Sequence, residues 1–69
     1  MYDNIEKERI KKNLSKTELA KKLNVDRKTY YNWERTNDIP ASKLILMSKI
    51  FEVSIDYLLG RSEPVNESA

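Results

Sequence analysis

Apolar positions along the chain recur at three- and four-residue intervals and nowhere alternate singly, so the pattern predicts helices and no strand. Three segments repeat one local device. In the run from Leu14 to Leu19, Ser15 is placed to cap a helix, Glu18 stands three residues on to complete a capping box, and Leu14 and Leu19 flank them at hydrophobic-staple spacing. Asp26 repeats the cap with Val25 and Tyr30 as its staple, and Ser54 repeats it with Val53 and Leu58. Gly60 follows two leucines as a helix-ending residue, where a left-handed backbone is cheapest for glycine. Asn13, Asn24 and Asn37 stand at the other helix ends, and Asn tolerates that conformation best after glycine.

These signals predict helices over 4–12, 15–23, 26–35, 42–52 and 54–59, followed by a frayed tail over 61–69 that is polar and carries a proline. The fourth helix offers Leu44, Met47, Ser48 and Phe51 as a core-facing stripe. Ile45, Leu46 and Ile50 lie off that stripe. They either fill a seam with the fifth helix or, with Tyr57 and Leu59, are surplus for a second copy of the chain.

The third helix has two opposed faces. At about 100° per residue, Arg27, Lys28, Tyr31, Asn32 and Arg35 gather on one side, while Tyr30 and Trp33 point to the other. The aromatic pair is expected to anchor the helix in the core, with Val25 closing its start. The other face carries cations and an amide, and these have the chemistry of major-groove readout. Arg or Lys donates to guanine O6 and N7, and Asn pairs with adenine N6 and N7. A blander alternative is that these groups merely solvate an exposed helix.

Composition narrows the function. A chain of 69 residues makes one domain and buries only about 60% of its unfolded surface. With 39% apolar and 35% charged residues it suits a small folded domain better than a disordered one. It has neither Cys nor His, which removes disulfides, the usual zinc ligands and the commonest acid-base catalyst, so no metal, cofactor or enzymatic activity is expected. The first ten residues carry charges where a secretory signal needs an apolar run, and no segment approaches the roughly 20 apolar residues of a membrane span. A cytoplasmic protein with no membrane partner is expected.

Net charge is only +2, but it is unevenly distributed. Between Arg9 and Arg35 nine cations face three acids, whereas residues 36–69 hold three cations and five acids. Such a basic half is the footprint of a domain that meets a polyanion with one side.

Read together, Arg9, the L-S-x-x-E-L-A run from Leu14 to Ala20, the turn from Asn24 to Lys28, Trp33-Glu34 and the closing V-S-x-D-Y-L-L-G make the chain from about Ile5 to Gly60 resemble the phage repressor and Cro type of helix-turn-helix proteins, the XRE-like family. Ala20 is the small residue where two helices cross, with Leu19, Leu23 and Val25 as filling. The resemblance implies a compact all-α, five-helix domain over 1–60 that binds double-stranded DNA in a sequence-specific way, as a transcriptional regulator of the repressor kind, with helix 26–35 in the major groove. Carried over, Arg27, Lys28, Tyr31 and Asn32 face bases. Lys16 stands where the family usually has Gln, and its charge favours a phosphate. Ser15 is a cap that either does or does not also touch phosphate, and Arg35, Asn37 and Lys43 are candidates for the DNA backbone.

The resemblance also implies a structural ion pair between Arg9 and Glu34, and a homodimer on a two-fold operator. Two positions depart from the family pattern. Thr36 replaces a common Gly after the Trp-Glu pair, and Glu8 replaces an apolar residue of the first helix. The competing functions are a protein-interaction module of the antitoxin or anti-repressor type, which the charged outer face of the third helix disfavours, and single-stranded RNA binding, which the inward aromatics disfavour.

Overall fold

The computed structural model describes residues 1–61; of the tail expected over 61–69, Arg61 is instead bonded to Asp56 through both backbone and side chain, and the rest lies outside the described residues. Five helices follow one another: α1 (Asp3–Lys11), α2 (Lys16–Lys22), α3 (Arg27–Thr36), α4 (Ala41–Phe51) and α5 (Ile55–Leu58). No strand occurs among the described residues. The boundaries fall within a residue or so of those read from the sequence; side-chain caps fix the starts of α2, α3 and α5, whereas α1 and α4 begin without one.

Helix starts are formed as expected. The Ser15 hydroxyl accepts the Glu18 N–H at 3.0 Å while the Glu18 carboxylate accepts the Ser15 N–H at 2.8 Å, a complete capping box. Asp26 accepts the Thr29 N–H at 2.8 Å, and Ser54 the Tyr57 N–H at 3.0 Å.

Helix ends repeat a second device that joins the first to it. Asn13, Asn24, Glu52 and Gly60 all take positive φ, and the residue after each donates its N–H to the carbonyl five residues back: Leu14 to Arg9, Val25 to Ala20, Val53 to Ser48 and Arg61 to Asp56. These are the long-range bonds of a Schellman motif, which satisfy carbonyls that would otherwise be orphaned. Leu14, Val25 and Val53 thus close one helix and, one residue later in the cap, open the next. Each packs against the core, so a single side chain sets both the exit and the entry angle of a turn.

The core holds Ile5, Leu19, Ala20, Leu23, Tyr30, Trp33, Ile39, Met47, Phe51 and Leu58, with α4 packed on α5, α2 on α3 and α1 on α5. Met47 and Phe51 supply the buried part of the α4 stripe, while Leu44 and Ser48 are half-buried. Leu46, Ile50 and Tyr57 pack against the core rather than standing free, and Ile45 alone of the off-stripe residues of α4 is exposed, at 46%. Ile39, in the α3–α4 turn, is a core residue that periodicity does not reveal.

Glu8 is buried, at 4% exposure. Its carboxylate accepts a hydrogen bond from the Tyr57 hydroxyl at 3.1 Å and lies 3.6 Å from the Lys11 ammonium. A polar pair from α1 and α5 therefore replaces the apolar contact usual at this position, and the Asn4 amide adds a bond to the Tyr57 carbonyl.

Candidate nucleic-acid interface

Helix α3 is amphipathic in the sense its sequence predicts. Tyr30 and Trp33 are buried, at 1% and 4% exposure, with ring centroids 6.3 Å apart and planes tilted by 49°. Arg27, Lys28, Tyr31, Asn32 and Arg35 are all exposed, and they line one open concavity along the helix together with Thr29. Thr29 is half-buried and was not among the residues read from the sequence. Its signal was its spacing from Asp26, since it is the third residue after the cap.

Within this face the side chains hold one another. The Arg27 guanidinium lies over the Tyr31 ring, 5.6 Å from its centroid, and a guanidinium N–H reaches the Tyr31 hydroxyl at 3.4 Å. One turn further on, Arg35 donates to the Asn32 carboxamide oxygen. At the helix start, hydrogen bonds from the Thr29 side chain and backbone hold the Asp26 carboxyl below its ordinary value. The carboxylate is thereby occupied by the cap. The end of α3 is shaped by Thr36 and Asn37: the Thr36 hydroxyl donates to the Asn32 carbonyl at 2.9 Å and accepts the Asp38 N–H at 3.1 Å, and Asn37 takes the left-handed conformation at φ 59°. A hydroxyl bridge serves the turn where a Gly was the commoner choice.

The flanking candidates divide. Ser15 is exposed and its hydroxyl serves the α2 cap. Asn37 is exposed beside Arg35 at the far end of α3. Lys43 is half-buried, and its ammonium donates to the Leu23 carbonyl at 2.9 Å, so it caps the C-terminal end of α2 and ties α4 to it.

The expected ion pair between Arg9 and Glu34 is corrected by the structure. Arg9 instead donates to Glu6 at 2.8 Å, one helical turn away, and to the Leu14 carbonyl at 2.7 Å in the α1–α2 turn. Glu34 pairs with Lys16 at 2.8 Å, joining the start of α2 to α3. A local i,i+3 partner and a turn carbonyl lie within reach of Arg9 without any long-range ordering, and they engage its two terminal nitrogens. Glu34, by hydrogen bonding and charge, holds the Lys16 ammonium above its ordinary value. The pair spans 18 positions of sequence, which is why no local spacing announced it.

Beneath this layer lies a polar pocket of the core. The Tyr30 hydroxyl, Glu6 Oε2 and Arg9 Nε are buried without a hydrogen-bond partner. Burial, and then the negative charge of Glu6, push the Tyr30 phenol well above its ordinary range. The Glu6 carboxylate acts on it chiefly through its charge.

Among the described residues no group of His, Cys, Asp or Glu is arranged to hold a metal ion, and no helix is long and apolar enough to cross a membrane. A family model described as Helix-turn-helix matches residues 5–58. A curated relative from Bacillus subtilis (strain 168), the "Uncharacterized HTH-type transcriptional regulator YobD", is 29% identical over 51 residues, which cover 72% of this chain and 46% of that protein. The chain thus spans about half the length of that relative. No solved structure matches. With the caps, the turn between α2 and α3 and the match over most of its length in agreement, the chain belongs to the XRE-like helix-turn-helix family.

Proposed function

We propose that the protein is a sequence-specific double-stranded DNA-binding transcriptional regulator that represses by occupying its operator, with α3 inserted in the major groove. One observation carries this reading: α3 buries its indole and the Tyr30 ring while gathering Arg27, Lys28, Tyr31, Asn32 and Arg35 on a single exposed face. In this arrangement Arg27, Lys28 and Asn32 address base edges and Tyr31 a thymine methyl or a sugar. Lys16, Arg35 and Asn37 address phosphates, and Ser15 remains chiefly a cap. Lys43 is the weakest of the phosphate candidates because its ammonium already serves the Leu23 carbonyl.

One domain neutralises few phosphates, so a homodimer on a two-fold operator is part of the proposal, with half-sites about 34–36 Å apart. Ile45, exposed on α4, is the apolar residue offered to that contact. The protein-holding alternative is disfavoured because Tyr31, half of whose surface is covered, is the only apolar group among the large exposed ones that α3 presents. Selection of bound fragments from random duplex DNA, followed by a salt titration of the winner, tests the reading. A defined consensus and a log-linear fall of affinity with salt are expected. Binding that is indifferent to salt, or no consensus, would exclude it.

A further inference from the structure

The unspent hydrogen-bonding capacity of the α3 face is almost wholly of one kind. Arg27 and Lys28 are donors only. The Tyr31 hydroxyl accepts from Arg27, which leaves its hydrogen to donate. The Asp26 carboxylate and Thr29 are engaged with each other. Asn32 alone combines both kinds, and its carboxamide orientation decides what the centre of the face presents. Arg35 fixes that orientation. A guanidinium has no acceptor, so the amide atom it approaches must be the oxygen, and the NH2 group is left unspent on a side chain that lines the open concavity.

Asn reads adenine through its oxygen, which takes the N6 amino hydrogen, and its NH2 group, which donates to N7. Here one lone pair of that oxygen is taken. The other remains, but an adenine amino group approaching it meets the positive charge and outward N–H groups of Arg35. Guanine offers two acceptors, O6 and N7, in the same place, and the Asn32 NH2 with a free Arg35 N–H matches them.

We infer that Arg35 is a specificity-determining, positioning residue that turns Asn32 into a donor, so that the α3 face reads guanine rather than adenine at the Asn32 position. The inference rests on the DNA-binding reading above. It predicts that a residue assigned above to the DNA backbone sets base preference, by orienting its neighbour and by offering a donor beside it. The same face carries Arg27 stacked on Tyr31, whose remaining donors suit a second guanine.

The test uses the 69-residue chain. Fragments selected from random duplex DNA by the unaltered protein give a consensus, and Asn32→Ala identifies the base pair whose preference it relaxes. At that pair, affinities for guanine and adenine duplexes are compared for the unaltered protein and for Arg35→Met, which keeps the aliphatic stem and removes the donors. The unaltered protein should favour guanine by roughly five- to 150-fold, the discrimination typical of a good two-bond pairing. Arg35→Met should bring the ratio to unity or reverse it toward adenine. Because a ratio is read, a uniform loss from a missing phosphate contact does not affect the result, and a thermal melt confirms that the variant folds. Preference for adenine in the unaltered protein, or an identical ratio in both proteins, overturns the inference while leaving DNA binding intact. Absence of any salt-sensitive duplex binding by the unaltered protein overturns the DNA-binding reading and the inference with it.

Discussion

Arg27 and Asn32 are exposed and Lys16 is half-buried, and the proposed geometry gives them different work. Arg27→Ala or Asn32→Ala should each cost roughly 1–3 kcal/mol on the best site and relax its sequence preference, whereas Lys16→Ala should weaken all sequences alike. Paired titrations on selected and random duplexes separate the two patterns, and equal small losses for all three would count against these roles. The two buried aromatics of α3 also part company. Trp33→Ala removes a core indole and should cost about 3–5 kcal/mol, enough to abolish a cooperative melt in a domain this small. Tyr30→Phe removes a buried hydroxyl that has no hydrogen-bond partner, so the melting temperature should stay level or rise.

That substitution has a pH signature as well. The folded state holds the Tyr30 and Tyr57 phenols above the ordinary value of 10.0, mainly through burial, so each stays neutral after the unfolded chain's phenol ionises. The stability this represents is complete below about pH 10 and is lost as pH climbs through the raised folded values. Tyr30→Phe should blunt the alkaline loss, as melts taken between neutral pH and pH 11 would reveal, and Tyr57 should retain the remainder. An unchanged alkaline profile would mean that the Tyr30 phenol ionises as freely folded as unfolded.

At the scale of the element, the helices were legible because their ends carry chemistry that acts over three to six residues. Ser15, Asp26 and Ser54 cap as read, and Asn13, Asn24, Asn37 and Gly60 adopt the left-handed conformation that their residue types favour. The two faces of α3 were legible for a similar reason, since a helical repeat converts spacing directly into direction. What was not legible depends on distance or contradicts propensity. Glu34 meets Lys16 and not Arg9 because side chains from α2 and α3 converge in space, a fact that no window of sequence contains. Lys43 spends its ammonium on α2 for the same reason. Glu8 enters the core only because Tyr57, 49 positions away, brings it a hydroxyl.

Glu52 is the clearest conflict between residue and conformation. It stands at φ 58° at the end of α4, where its neighbours in the fold use Asn or Gly. A left-handed conformation costs an ordinary L-residue about 1–2 kcal/mol, and glycine gives part of that back in unfolded-state entropy. Glu52→Gly should therefore stabilise the domain by up to about 1 kcal/mol, raising the melting temperature by roughly 4–8 °C. A lower melting temperature would show that the Glu52 side chain makes a contribution larger than its backbone strain.

For the molecule as a whole, charge and exposed apolar surface are only partly separated, since Ile10, at 63% exposure, stands in α1 among Arg9, Lys11 and Lys12. The basic half of the chain contains α2 and α3, and the exposed Ile45 sits on α4, outside the proposed DNA face. The join between Lys16 and Glu34 crosses from the element proposed to straddle the DNA backbone to the one proposed to enter the groove. Glu34→Gln should release the ammonium and strengthen binding to any duplex by up to about fivefold, the worth of an exposed ion pair, with the cognate-to-random ratio unchanged. Filter binding at low salt on both kinds of duplex checks this, and a change confined to the cognate duplex would contradict the assignment of Lys16 to phosphate.

The carboxylate of Glu34 thus stands in for a counterion that the protein carries itself. In the proposed geometry a phosphate approaching Lys16 competes with it, so a chance encounter with the chromosome would be held less firmly and end sooner. For a regulator that must sort its target from about a million or more competing sites, quick departure from the wrong ones leaves more copies in transit toward the right one.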